Sequence, residues 1–166
     1  MIIGLLIKVL TIPGLVLDAF INKLICNYLK IPVYQVNYFP IIEEKEAAVV
    51  HEIPKDFTKT YGIAILPFII MSCIAIIIFY VGLNFFPDQD ILFIWLGVSV
   101  AAHSFPFIDI ADLLWNKSVA EIKKGNYFAI AGFPLVIVIY IARGLHYFWL
   151  DIIYGLLLYF LVKGEV

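Results

Sequence analysis

Tyr61–Leu83 reads YGIAILPFIIMSCIAIIIFYVGL, a stretch in which Ser72 is the only strongly polar side chain before Asn84. A helix needs about 20 mostly apolar residues to cross a hydrocarbon core of about 30 Å, so this segment alone predicts a membrane span. Pro67 is tolerated inside it as a kink, because neighbouring groups can satisfy the carbonyl that a proline leaves unpaired.

The rest of the 166-residue chain has the same character. Hydrophobic residues make up 64% of it, charged residues only 14%, and the mean hydropathy is +1.03, far from a soluble composition. A net charge of −2 with Lys and Arg scattered singly excludes a nucleic-acid partner, since phosphate binding needs clustered cations. Cys26 and Cys73 both lie in apolar runs and read as small buried hydrophobes rather than a disulfide or a metal pair. Met1–Ile12 is apolar around Lys8 and no small-residue cleavage site follows, so a removable signal peptide is not expected.

Ile91–Ala102 follows the acidic turn Pro87-Asp88-Gln89-Asp90 and ends at His103, short enough to stop inside a bilayer. Tyr127–Ile141 and Tyr147–Val162 are separated by Arg143-Gly144-Leu145-His146, a spacing that predicts a tight antiparallel helical hairpin. Pro13-Gly14 predicts the opening of a helix that continues to about Leu29. Between Lys30 and Lys59 the pattern changes: Val33–Phe39 has strand-forming residues, a return strand is expected over Glu46–Ile53, and Glu43-Glu44-Lys45 falls in the turn. Asp109–Lys124 mixes Leu113, Leu114, Val119 and Ile122 with charged residues and predicts an amphipathic interfacial helix.

The expected fold is therefore a mainly α membrane protein with about five transmembrane or membrane-embedded helices and a small cytoplasmic β-hairpin. It forms a single domain over 1–166, with N-terminal helices in 1–29, a surface hairpin region in 30–59 and a helical bundle in 60–166. Lys30, Lys45, Lys55 and Lys59 precede the clearest span, whereas the loop after it carries Asp88 and Asp90 and no cation. Cytoplasmic loops collect Lys and Arg, which puts the 30–59 region and the C-terminus on the cytoplasmic side, with Arg143 as one mild violation.

Certain polar groups need partners. Asp18 and Asn22 share a helix face at a spacing of four. An Asp at membrane depth costs about 2.5–3.5 kcal/mol on insertion scales, so either it faces the interior with Asn22 or Lys23 as partner, or the helix lies near the interface and all three are wet. His103, with Asp109 and Asp112 nearby, reads as a hydrogen-bonded structural residue, or as one member of a weak metal set. His51-Glu52 reads as a pair of solvated strand-edge residues.

Pro13-Gly14, Cys26 four positions after Asn22, and Val33–Phe39 are similar to the start of small prokaryotic membrane zinc metalloproteases related to the site-2 proteases. Val49-Val50-His51-Glu52-Ile53-Pro54-Lys55-Asp56-Phe57 resembles that family's Val-x-His-Glu-x-Pro-Lys stretch, Pro67-Phe68-Ile69 its Gly-Pro-Phe, and His103-Ser104-Phe105-Pro106, with Trp115 nine residues on, its His-Ala-Phe-Pro. The resemblance covers about Thr11 to Trp115. It implies two imidazoles at i and i+4 holding zinc and a Glu as general base, but the matching positions here are Asp18-Ala19-Phe20-Ile21-Asn22. Ala19 stands where the Glu should be and cannot take a proton from a zinc-bound water. The family's third ligand, an Asp, aligns with Ile110, flanked by Asp109 and Asp112.

The sequence thus predicts a catalytically inactive relative that binds membrane lipid and a membrane protein or extended peptide segment, through strand addition to the hairpin. No cofactor is expected. Two alternatives remain open: a peptidase whose metal site is rebuilt from Asp18, Asn22, His103, Asp109 and Asp112, with zinc or another divalent ion, and a structural subunit of a larger membrane complex.

Overall fold

The computed structural model describes residues 9–39, 49–144 and 150–164, and it is mainly helical with one small antiparallel sheet. Two helical stretches, Phe57–Phe85 and Tyr127–Gly144, are long and apolar enough to cross a membrane.

Helix α1 (Ile12–Tyr28) opens at Pro13, whose missing N–H costs nothing in a first turn. Strands β1 (Val33–Val36) and β2 (Val49–His51) pair antiparallel, with a bulge between Val33 and Gln35. The predicted hairpin turn at Glu43–Lys45 and the start of the return strand lie outside the described residues. Helix α2 (Phe57–Phe85) is about 43 Å long at 1.5 Å per residue, and it accommodates Pro67 as the sequence suggested. After a 3-10 turn at Pro87–Gln89 come α3 (Asp90–Ala102) and α4 (Ile108–Lys123); a second 3-10 turn, Tyr127–Ala131, leads into α5 (Gly132–Gly144), and α6 (Leu150–Lys163) is last.

Contacts along α2 order these helices. At its sheet-proximal end Ala64 packs with Ala111 and Leu114 of α4 and with Val136 and Ile139 of α5. One turn further on, the rings of Phe68, Phe105 and Tyr154 meet, with centroids 5.0–5.8 Å apart. Beyond that, Ser72 bonds the hydroxyl of Tyr154 at 2.8 Å, and Phe79 packs edge-on against Tyr159. Therefore α5 and α6 follow one another along α2 in the same direction, and the antiparallel hairpin expected of them is not formed. Among the described residues, α5 packs on α4 while α6 packs on α2 and α3. With 14 residues, α6 is about 20 Å long, too short for a crossing of its own.

The same holds for α3 and α4. Trp95 donates to the carbonyl of Leu10 at 2.8 Å, and Gly14 N–H to Ser99 Oγ at 2.9 Å, so α3 runs beside α1 toward the middle of the bundle. Helix α4 continues from there toward the sheet end, where Lys117 bonds the carbonyl of Lys55 and Ser118 lies against Gly132. The segment expected as an interfacial helix near 109–124 thus runs along α2, with Ala111, Leu114 and Ser118 buried. Its charged end is wet: hydrogen bonds from Lys124 (2.7 Å) and Asn126 hold the Glu121 carboxyl below the usual carboxylate range.

The helices thus lie along four tracks: α1, α2, α3 followed by α4, and α5 followed by α6. Tyr159 lies at the level of Phe79 and Asp90, the end of the bundle away from the sheet. The C-terminal helix therefore ends at the end of the bundle away from the sheet.

Gly14 sets the spacing of α1 and α3. A Cβ there would come 1.9 Å from the carbonyl oxygen of Ser99, a backbone atom that cannot swing aside. Close helix approach through small residues is a main source of stability where lipid supplies no hydrophobic drive between helices. Gly14→Ala should separate α1 from α3 and lower stability by about 1–3 kcal/mol, seen as a fall in the thermal unfolding midpoint in detergent; an unchanged midpoint would contradict this packing.

Candidate functional site

The break between α3 and α4 follows from its sequence. Pro106 donates no backbone hydrogen bond and biases Phe105 toward extended backbone, so a helix cannot run through. The last carbonyls of α3 are closed locally: His103 N–H bonds Val100 O, Ser104 N–H bonds Ala101 O at 3.1 Å, and Ser104 Oγ bonds the same carbonyl at 2.8 Å. The carbonyls of Phe105 and Pro106 have no local donor and take theirs from Arg143, whose Nη2 and Nε reach them at 2.5 and 2.9 Å. The guanidinium also lies over the Phe107 ring, 5.1 Å from its centroid, and its charge acts on the carboxylates of Asp151 and Asp18. Arg143 lies at the end of α5, so one side chain ties that helix to the α3–α4 break.

Against this break lies a cavity of about 80 Å³ that α1, β2, α2 and the 104–110 segment line together. Helix α1 contributes Asp18, Asn22 and Cys26; β2 contributes Val49 and His51; α2 contributes Ile63 and Pro67. Ser104, Phe105, Pro106 and Asp109 close the remaining side. Asp18 is 8% exposed, and the side-chain amide of Asn22 donates to its Oδ1 at 2.6 Å and to its carbonyl at 2.9 Å. Of the two readings left open for Asp18, the buried one with Asn22 as partner holds. Lys23 turns away, its ammonium 3.4 Å from the Tyr38 hydroxyl.

The other candidate residues divide. Ala19 is fully buried and presents only a methyl group. His51, expected as a solvated edge residue, is half-buried on the cavity wall, and its Nδ1 bonds the carbonyl of Glu52 at 2.9 Å. Since a carbonyl only accepts, Nδ1 carries the proton and Nε2 of the neutral ring is an acceptor. Glu52 is outside the cavity, and its N–H bonds Pro32 O in the sheet. His103 sits on the α1 side of the break, with Nε2 2.9 Å from Thr11 Oγ1 and its ring against Gly14. Asp112 accepts a short hydrogen bond from the Tyr140 hydroxyl on the outer face of α4 and α5.

Of the five members of the rebuilt metal set, Asp18, Asn22 and Asp109 meet at the cavity, and His103 and Asp112 do not. Among the described residues no group of three or more His, Cys, Asp or Glu side chains is arranged to hold a metal ion. Cys26 is buried as expected, while Cys73 is exposed on α2. Comparison with known proteins finds no matching family model, no similar curated protein and no similar solved structure.

Sequence reasoning missed Arg143. It was placed in a loop as an orientation violation, yet a cation beside a long apolar run is costly at depth, which is itself the signal that it has buried partners. Arg143→Ala should leave two carbonyls and two carboxylates without their shared cation and destabilise the fold by about 3–5 kcal/mol. Arg143→Lys, with a point charge instead of a fork, should recover only part of this. Thermal unfolding in detergent checks both, and equal midpoints for the wild type and the Ala variant would contradict the role assigned to Arg143.

Proposed function

We propose that the chain is a multi-pass membrane protein that holds an extended segment of a membrane partner beside β2 without cleaving it. The observation that carries this reading is the convergence of β2, Asp18 and Asn22 on one cavity while the residue between them, Ala19, is a buried methyl. Strand addition needs only main-chain donors and acceptors, which a short two-stranded sheet offers, so it is independent of a metal and of a general base. Asp18, Ala19 and Asn22 are the positions that resemble the protease motif, and Phe105, Pro106 and Asp109, from the later landmark, line the same cavity. That grouping is what a non-catalytic relative of such a protease requires.

In this reading the four tracks are membrane crossings, and the α3–α4 track is broken near mid-depth. Non-helical backbone is tolerated at Phe105 and Pro106 because it is buried in protein and hydrogen-bonded by Arg143. The hairpin end carries Lys55, Lys59, Lys117, Lys123 and Lys124 and faces the cytoplasm.

Two experiments test this. A photoreactive residue at Val50 should capture a polypeptide in native membranes, and one at Ile137, on the outer face of α5, should capture lipid; no polypeptide adduct at Val50 would sink the binding reading. In a cysteine-free background, cysteines at positions 55 and 163 should react with an impermeant maleimide from opposite sides of sealed vesicles, and same-side labelling would rule out the four-crossing arrangement. The alternative of a metal-dependent peptidase draws on the oxygen donors of Asp18, Asn22 and Asp109 at the cavity. It requires a bound divalent ion that Asp18→Ala removes, which elemental analysis of protein purified without chelators would reveal.

A further inference from the structure

Hydrogen-bond accounting in the cavity goes one step further. Its polar side chains have used their donors elsewhere: the Asn22 amide on Asp18, the Ser104 hydroxyl on Ala101 O, and His51 Nδ1 on Glu52 O. The acceptors are left. Asp18 keeps its second carboxylate oxygen, Asn22 its Oδ1, His51 its Nε2, and Asp109 both oxygens among the described residues. No Lys or Arg lines the cavity; Arg143, whose charge acts on Asp18 from behind the wall, spends its donors on Phe105 and Pro106.

A site rich in acceptors, two of them on carboxylates, is matched by a ligand that only donates and is positively charged, which among side chains means an ammonium or guanidinium. The remaining wall is apolar, with Ile63, Pro67, Val49 and Phe105, and suits the methylene stem that Lys and Arg carry behind their charge. We infer that the segment held beside β2 is recognised by a basic side chain that enters this cavity and donates to Asp18 and Asp109. This rests on the strand-binding reading and names the specificity of that same site. Side chains alternate between the two faces of a strand, so one register position of the bound segment, and not its overall charge, sets the preference.

The test uses the full chain in nanodiscs of zwitterionic lipid and fluorescent peptides of about eight residues, a strand's length, alike except for a central Lys, Arg, norleucine or Glu. The Lys and Arg peptides should bind about tenfold more tightly than norleucine, close to the worth of one charge-assisted hydrogen bond, and Glu should bind most weakly. Moving the Lys by one position should abolish its advantage. Asp109→Asn, an exposed substitution that spares the core, should bring the Lys-to-norleucine ratio near one; Asp18→Asn should do the same if it folds. Equal affinities for Lys and norleucine, or an advantage that survives the shift, would overturn the basic-side-chain inference and leave strand binding intact. Failure of every peptide to bind would overturn strand binding itself.

Discussion

The structure depends on the backbone of Phe105 and Pro106 being satisfied. A carbonyl buried away from water without a donor costs several kcal/mol, and the proline in this segment rules out the helical solution. Arg143 supplies both bonds from another element. Its fork is suited to two adjacent carbonyls in a way that a lysine is not, and its charge is offset by Asp18 and Asp151. Because Arg143 lies at the end of α5, the same contact ties that helix to the α3–α4 break. The cavity wall formed by 104–107 is thereby held from behind.

The two paired tracks explain an odd distribution of apolar length. Helices α3, α4, α5 and α6 are each shorter than α2, but end to end with its neighbour each comes close to it. The aromatic contacts of Phe68, Phe105 and Tyr154 fill the level of the α3–α4 break, so the interruption costs little packing. Small residues serve the close approaches beyond it, with Gly155 against Val98 and Ala101 and Gly97 against the Phe79 ring.

Much of this was legible in the sequence. Tyr61–Leu83, the Pro13 helix start, the β1 strand and the early stop at His103 were read from residue type and period, because each is a local property. The Asp18–Asn22 pairing followed from the helical spacing of four. What was not legible was long-range: whether two half-length apolar runs fold back or continue depends on which helix each packs against, and periodicity carries no such information. Arg143 was misread for that reason, since its partners lie 37 and 38 residues away at Pro106 and Phe105. His51 was misread because alternation on a strand gives two faces but not which of them a helix covers.

The chemistry of the cavity also follows from the break. The donors that remain are committed to holding the walls: Asn22 pins Asp18, Ser104 closes α3, and His51 caps its own strand. Each of these bonds fixes a side chain, and each also removes a donor from the cavity. What is left, among the described residues, is a pocket lined by acceptors. The same pocket is good machinery for recognising a cation, since its acceptors are already oriented and little side-chain freedom remains to be lost on binding.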